Sequence, residues 1–247
     1  RYDPGKETFQ RFPRDKDGPI DISSAHISAI CPDKNGRVWI GTNGYGGKGL
    51  YMYDYRTDSV KEFRHDPNDP SSLPDDHIVA MCTDSFQNVW FTCFAGPVGG
   101  LFHTNPRNGK FTEFRLDVTG KDPLKIFTRY LRTDINGNLW FCINYWFNPP
   151  YSEYSFLFRI SDRLDSLESL PSDSIVLFRN YKSFPAVKDC NMFTFDHDGN
   201  LWLETEKRGV MRFNPETEEA ECFKPYGEKE WNNSEIFSII CDASGAI

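Results

Sequence analysis

Apolar and polar positions alternate along this chain in short runs, each broken by a polar turn. One kind of run ends at an Asp. Ile27, Ala29 and Cys31 precede Asp33; Ile78, Ala80 and Cys82 precede Asp84; Phe193 and Phe195 precede Asp196; Phe237, Ile239 and Cys241 precede Asp242. Period-two alternation of this length predicts a strand. The residues after the Asp are rich in Asn and Gly, which take positive φ at little cost, so a tight turn follows. A second run carries a Trp: Val38-Trp-Ile-Gly-Thr42, Val89-Trp-Phe-Thr92, Leu139-Trp-Phe-Cys142 and Leu201-Trp-Leu-Glu204. A third opens on glycine at Gly49, Gly100 and Gly209, and Asn105-Pro106 or Asn214-Pro215 closes it. A fourth is short and polar with one aromatic anchor: Lys61-Glu-Phe63, Thr112-Glu-Phe114 and Ala220-Glu-Cys-Phe223.

The Asp and the Trp stand six residues apart in four copies, at Asp33/Trp39, Asp84/Trp90, Asp134/Trp140 and Asp196/Trp202. Successive Trp residues are 51, 50 and 62 positions apart, and a fifth copy opens at Asp242-Ala-Ser-Gly245. Four antiparallel strands per period of about 50 residues predict an all-β fold, a β-propeller of four-stranded blades. The units run over 24–73, 74–123, 124–185 and 186–233, with partial units at 1–23 and 234–247. They predict a single propeller domain or fragment: either the partial ends combine into a fifth, incomplete blade or, as the missing Trp strand argues, the units are an arc of a larger ring. Each twisted blade has two apolar faces that a neighbour must cover. The Trp and the aliphatics beside it are expected to fill the layers between blades, which accounts for the 15% aromatic content without a ligand.

These residues resemble the two-component regulator propeller repeat. Its phrase is an Asp-x-x-Gly turn, Leu-Trp-Ile-Gly-Thr, a Gly-Leu, then Tyr-Asp-Pro and a downstream Phe. Asn35-Gly36 through Thr42, Gly49-Leu50, Tyr53-Asp54 and Phe63 match it, as do Tyr2-Asp3-Pro4 and Asn214-Pro215. The resemblance implies the periplasmic sensor half of a Bacteroidetes hybrid histidine kinase, binding oligosaccharides from polysaccharide breakdown and acting as a homodimer. Three features depart from the pattern. Gln87 replaces the turn Gly in the second copy. The third copy lacks Gly-Leu and places its third strand at Phe156-Leu-Phe-Arg-Ile160. Its fourth strand is not legible, because Ser166 to Ser174 is too polar.

Charge narrows the partners. With 28 basic and 36 acidic residues the net charge is −8, which disfavours nucleic acid and anionic membranes, since both require a positive face. No apolar run of ~18 residues is present, so no membrane contact is expected within this segment. The seven Cys include Cys31, Cys82 and Cys241 at or beside equivalent places and Cys93 and Cys142 just after a Trp. Such placement reads as small buried apolar residues. No metal-ligand spacing and no cofactor motif stands out. Asp196-His-Asp-Gly-Asn200 resembles a calcium loop, but Lys207 stands where the bidentate Glu belongs, and the stretch reads as an Asp-capped turn. The turns are also similar to the Asp boxes of sialidases, and Trp90-Phe-Thr92 to streptogramin lyases. Neither likeness brings catalytic residues with it, so no catalytic residue is assigned.

Two constellations are candidates for ligand contact. One is the stretch from Asn144 to Tyr154, whose Tyr145, Trp146, Phe147, Tyr151 and Tyr154 offer ring faces to a sugar. Packing or a dimer contact would explain the same aromatics. The other is the residue seven before each turn Asp: His26, His77, Phe127, Asp189 and Glu235. Four of these five are polar beside an apolar strand, at the expected mouth of the central channel, where strand capping is the competing explanation. Asn43 and Tyr45 join them from the loop after the second strand. A protein-binding scaffold and a carbohydrate-active or lyase-type enzyme are the alternative functions.

Overall fold

A computed structural model describes residues 2–9, 25–44, 47–94, 99–104, 109–114, 128–143, 156–160, 175–178, 192–205, 209–223, 239–242 and 244–247. Four four-stranded antiparallel sheets follow one another along the chain. The first holds β3 (His26–Pro32), β4 (Arg37–Asn43), β5 (Leu50–Asp54) and β6 (Ser59–Phe63). The second holds β7 (Ile78–Thr83), β8 (Val89–Cys93), β9 (Gly100–Thr104) and β10 (Phe111–Phe114). In the third are β11 (Leu131–Thr133), β12 (Leu139–Ile143), β13 (Phe156–Ile160) and β14 (Ile175–Phe178). In the fourth are β15 (Phe193–Phe195), β16 (Leu201–Thr205), β17 (Gly209–Phe213) and β18 (Ala220–Phe223). A two-stranded hairpin of β1 (Tyr2–Asp3) and β2 (Thr8–Phe9) precedes them. This is the expected propeller of four-stranded blades.

The third blade's missing strand is β14. It pairs Ile175 to Phe178 with Ile160 to Leu157. Unlike the other fourth strands it is apolar at every position, so a search for a polar strand with one aromatic passed over it.

First strands of adjacent blades lie side by side, β3 against β7 and β7 against β11. The first and third blades turn their Trp toward the next blade. Trp39, Leu50 and Cys31 pack with Ile78, Met81, Val89, Phe91 and Phe102 of the second blade, and Leu73 fills the same layer. Trp140, Cys142 and Leu157 pack with Phe193, Leu203, Met211 and Phe213 of the fourth. Trp39, Trp90 and Trp140 are all buried. Gly41 is required by this layer, because a Cβ there would lie 2.6 Å from Ile78 Cγ2. Cys31 faces the second blade, whereas Cys82 stands on the strand face that carries Trp90 and looks to the third. Equivalent thiols therefore point along the ring in the same sense and do not meet. Among the described residues the cysteines are free thiols.

The Asp explains why the period is kept. In the third copy Asp134 Oδ1 accepts the backbone N–H groups of Asn136 and Asn138, both at 2.9 Å. Its Oδ2 accepts Asn138 Nδ2 at 2.7 Å and Trp140 Nε1 at 2.8 Å. Asp84 and Asp196 hold Trp90 and Trp202 in the same way, each at 2.9 Å. Asp33 holds Trp39 at 3.3 Å and pairs with Arg37 in place of the Asn. One carboxylate thus closes the turn and fixes the indole that glues two blades. Burial works to raise the pKa of Asp196, but the hydrogen bonds from Trp202 and Asn200 outweigh it and hold the carboxyl below its ordinary value. The fifth turn forms as well, with Asp242 Oδ1 accepting from the Ser244 and Ala246 N–H groups. Residues 239–242 before it are not in a strand.

Candidate functional site

An antiparallel meander puts the first-to-second and third-to-fourth turns on one side of the ring. The second-to-third loops and the links between blades lie on the opposite, upper rim. The described part of that rim centres on the junction of the first two blades.

His26 opens β3 and pairs in register with Asn43, the last residue of β4. His26 is exposed and Asn43 half-buried. Asn43 Oδ1 accepts the N–H of Gly44 at 2.6 Å. His77 stands immediately before β7. Asp75 Oδ1 accepts the His77 backbone N–H at 2.7 Å and lies 2.9 Å from its Nδ1. A carboxylate only accepts, so Nδ1 carries the hydrogen and Nε2 is the ring nitrogen turned away from Asp75. Phe94, 41% exposed, meets the His77 ring edge-on with centroids 6.4 Å apart. Its N–H donates to His77 O at 3.3 Å. The first blade's glycine turn comes up against the same imidazole. A Cβ on Gly47 would lie 2.8 Å from both His77 Cδ2 and Asp76 O.

A polar brace holds this corner. Asp76 Oδ1 accepts the His65 N–H at 2.8 Å, and Asp76 O accepts the Gly49 N–H at 3.0 Å. Arg64 bonds Glu62 at 2.6 Å and approaches Asp76 at 3.6 Å. The Tyr51 hydroxyl donates to Glu62 Oε1 at 3.1 Å. Burial, aided by the Glu62 carboxylate and opposed by Arg64, pushes that hydroxyl up to about 12. The backbone between blades is therefore tied down while His77, Asp75, Phe94 and Asn43 keep accessible polar or ring surface.

Of the sequence candidates, the structure brings His26 and Asn43 together in one blade and sets His77 at the same level in the next. Tyr145, Trp146, Phe147, Tyr151, Tyr154, Asp189, Glu235, Tyr45 and Phe127 lie outside the described residues. Sequence reasoning missed Phe94 and the Arg64 brace. An exposed Phe directly after a Trp strand was the available signal for Phe94. Among the described residues His77 has no hydroxyl or thiol hydrogen-bond partner, so the His77–Asp75 pair lacks an adjacent nucleophile of the kind a triad needs. No group of three or more His, Cys, Asp or Glu among them is arranged to hold a metal, and none of their helices is long and apolar enough to cross a membrane. What the corner offers on its described surface is hydrogen-bonding groups and a ring face.

Blades, Asp-anchored turns and a variable rim define a β-propeller. Residues 21–44 match the family described as Two component regulator propeller. No curated protein matches the chain. Among solved structures, the chain is similar to the extracellular domain of a protein named as the hybrid two component system BT4673 from B. thetaiotaomicron. Identity is 19% and the TM-score 0.60, over 90% of this chain and 28% of that one. It is similar also to the extracellular domain named for the hybrid two component system BT3049 of the same organism, at 20% identity and a TM-score of 0.52, over 76% and 22%. A catalytically inactive virginiamycin B lyase from Staphylococcus aureus aligns at 16% identity and a TM-score of 0.50, over 85% and 59%. This chain therefore spans about a quarter of the length of the two sensor domains. At these identities the likeness is one of fold.

Proposed function

We propose that this propeller is the extracytoplasmic ligand-sensing region of a two-component sensor, that its ligand is an oligosaccharide or another glycan breakdown product, and that it performs no chemistry itself. The observation that carries the reading is the regulator-propeller repeat at residues 21–44, on a chain folded like extracellular domains of such systems. The upper rim supports it. Phe94 offers an apolar ring to the C–H face of a sugar, and His77, Asp75 and Asn43 offer donors and acceptors for hydroxyls. The receptor is periplasmic, works as a homodimer, and passes binding across the membrane through the ligand's differential affinity for two signalling states.

Isothermal titration of the chain against a panel of plant and host oligosaccharides tests this. One member binds, and His77→Ala, which removes a hydrogen-bonding ring, weakens it about tenfold. Binding by none of the panel would overturn the ligand class. Equal binding by wild type and His77→Ala would move the site away from this corner.

A further inference from the structure

The link from β6 to β7 forms a tied lobe at the boundary of the first two blades. Pro67, Pro70 and Pro74 each fix a φ angle along it. His65 Nδ1 donates to Leu73 O at 2.8 Å, and the Asp66 N–H donates to Ser72 Oγ at 2.9 Å. The Asp69 N–H donates to Asp66 O and the Ser72 N–H to Asp69 O, both at 3.0 Å. Leu73, fully buried, pins the lobe into the layer between the blades. The facing wall belongs to the second blade: Phe102 of β9, and Phe111 and Glu113 of β10. Phe111 is itself held edge-on by Phe63 at 5.5 Å and Phe91 at 5.7 Å. Between these walls lies a cavity of about 250 Å³. Its titratable lining is His65, Asp66, Asp69 and Glu113, with no Lys or Arg.

We propose that this cavity is a socket for an arginine side chain presented by a protein partner. Its volume is below the ~300–1,000 Å³ of a typical small-ligand site and suits one long side chain. The rings of Phe102 and Phe111 and the prolines of the lobe offer apolar surface to the stem and to the flat face of a guanidinium. The carboxylates supply the opposite charge. Asp66 and Asp69 each spend Oδ1 on N–H or O–H groups of their own turn, and neither Oδ2 has a hydrogen bond among the described residues. A guanidinium reaches two carboxylates at once through its planar fork and sheds water more easily than an ammonium, so arginine fits better than lysine. A wholly apolar side chain would give the carboxylates nothing in exchange for lost water. The net charge of −8 favours a basic partner as well. The socket shares no lining residue with the His77 corner, and it does not depend on the oligosaccharide reading.

The test is an NMR titration of the isotope-labelled chain with the capped tripeptide acetyl-Gly-Arg-Gly-amide. Its citrulline analogue, of the same shape without the charge, and its lysine analogue are the controls. The arginine peptide gives saturable amide shifts centred on residues 65–74 and 111–113. The lysine peptide binds more weakly, and the citrulline peptide gives no saturable shift. Asp69→Asn combined with Glu113→Gln, both at exposed positions where the fold tolerates change, weakens the arginine peptide about tenfold. No saturable shift with the arginine peptide would overturn the socket. So would equal binding of the citrulline peptide, an unchanged affinity in the double variant, or shifts centred on His77 and Phe94 instead. Equal binding of the lysine peptide would overturn the choice of arginine.

Discussion

The two rims of the propeller solve different problems with the same strands. On the lower rim five turns repeat one arrangement: the Asp N–H donates to the carbonyl four residues on in every copy, at 2.8–3.1 Å. Its Oδ1 accepts that fourth residue's N–H in all five. On the upper rim the two described copies differ. The first blade presents Asn43, Gly44 and an open glycine turn, and the second presents His77, Asp75 and Phe94. The lower rim builds the layer between blades, so its chemistry is constrained by packing. The upper rim is braced from below by Arg64, Glu62 and Asp76, and its outward groups are left to vary. Under the proposed reading recognition falls on the upper side, since loops on a rigid scaffold commonly carry function.

The largest test of that contrast is Asp84→Ala. Asp84 is 3% exposed and accepts from Asn88 N, Asn88 Nδ2 and Trp90 Nε1. Removing the carboxylate leaves these buried donors unpaired, and urea unfolding is expected to show a loss of about 3–5 kcal/mol. His77→Ala, on the rim, changes the same midpoint by less than about 1 kcal/mol. Comparable losses from the two would erase the distinction between a structural and a recognition side.

The structural side was legible because it repeats. Asp and Trp six apart, in four copies, need no partner outside their own hairpin, so one sequence window contains the whole device. Blade faces followed from period two, with one local failure. The first strands of the first two blades carry a register shift, between Ile27 and Ala29 and between Ile78 and Ala80. In the first blade Ile27 is 50% exposed, against the buried face that simple alternation predicts, while Ile78 at the equivalent place is buried. A bulge adds one residue and reverses the facing of those before it, and nothing in a lone strand's composition announces it. The upper rim was only partly legible, for a related reason. His77 was marked by its place in the repeat, but its contact with Phe94 joins the entry of one strand to the exit of the next, and the neighbouring brace reaches back to Tyr51 and Glu62 in the preceding blade.

A middle level of the blade sharpens the comparison further. The residue paired across from each Trp is Met52, His103, Arg159 or Arg212, so the fixed indole faces a variable neighbour. Arg159 and Arg212 lie over their indoles at 5.6 and 5.9 Å. His103 meets Trp90 at 5.0 Å with its Nδ1 buried and unbonded. Burial lowers its pKa from the ordinary 6.5 to about 4. The unfolded chain therefore takes up a proton that the folded one refuses. Stability is full above pH 6.5 and falls as the pH drops toward 4, by about 2–3 kcal/mol, then levels. His103→Leu removes that phase. It leaves the acid loss at lower pH that comes from carboxyls such as Asp196 and Asp242, whose folded values lie below the ordinary 3.8. Urea midpoints between pH 7.5 and 3.5 read the two phases separately. An unchanged slope in His103→Leu would show that the variable neighbour is accommodated as freely as a surface loop.

The smallest effect falls on the lower rim's one irregular turn, and it decides how strict that rim is. Gln87 stands where the other turns have Gly, at φ 70°. The turns form a chain around the ring. A Cβ on Gly137 would lie 2.9 Å from Ser85 Oγ, and those on Gly199 and Gly245 would lie 3.4 and 3.5 Å from Ile135 and His197. Each glycine thus receives the side chain of the turn before it. At the second copy the roles are exchanged, and Gln87 Oε1 reaches back to accept the Lys34 N–H at 2.6 Å. Its Nε2 lies 3.3 and 3.4 Å from the carbonyls of Asp84 and Ser85. A left-handed conformation costs a non-glycine residue about 1–2 kcal/mol, and hydrogen bonds of this kind return about 0.5–1.5 kcal/mol each. Gln87→Gly relieves the first and loses the second, and is expected to shift stability by no more than about 0.5 kcal/mol. Gln87→Ala keeps the strained backbone and loses the amide, so it costs about 1 kcal/mol. If Gln87→Gly instead stabilised the chain by well over that amount, the amide would contribute nothing, and the link between the first two turns would rest on backbone geometry alone.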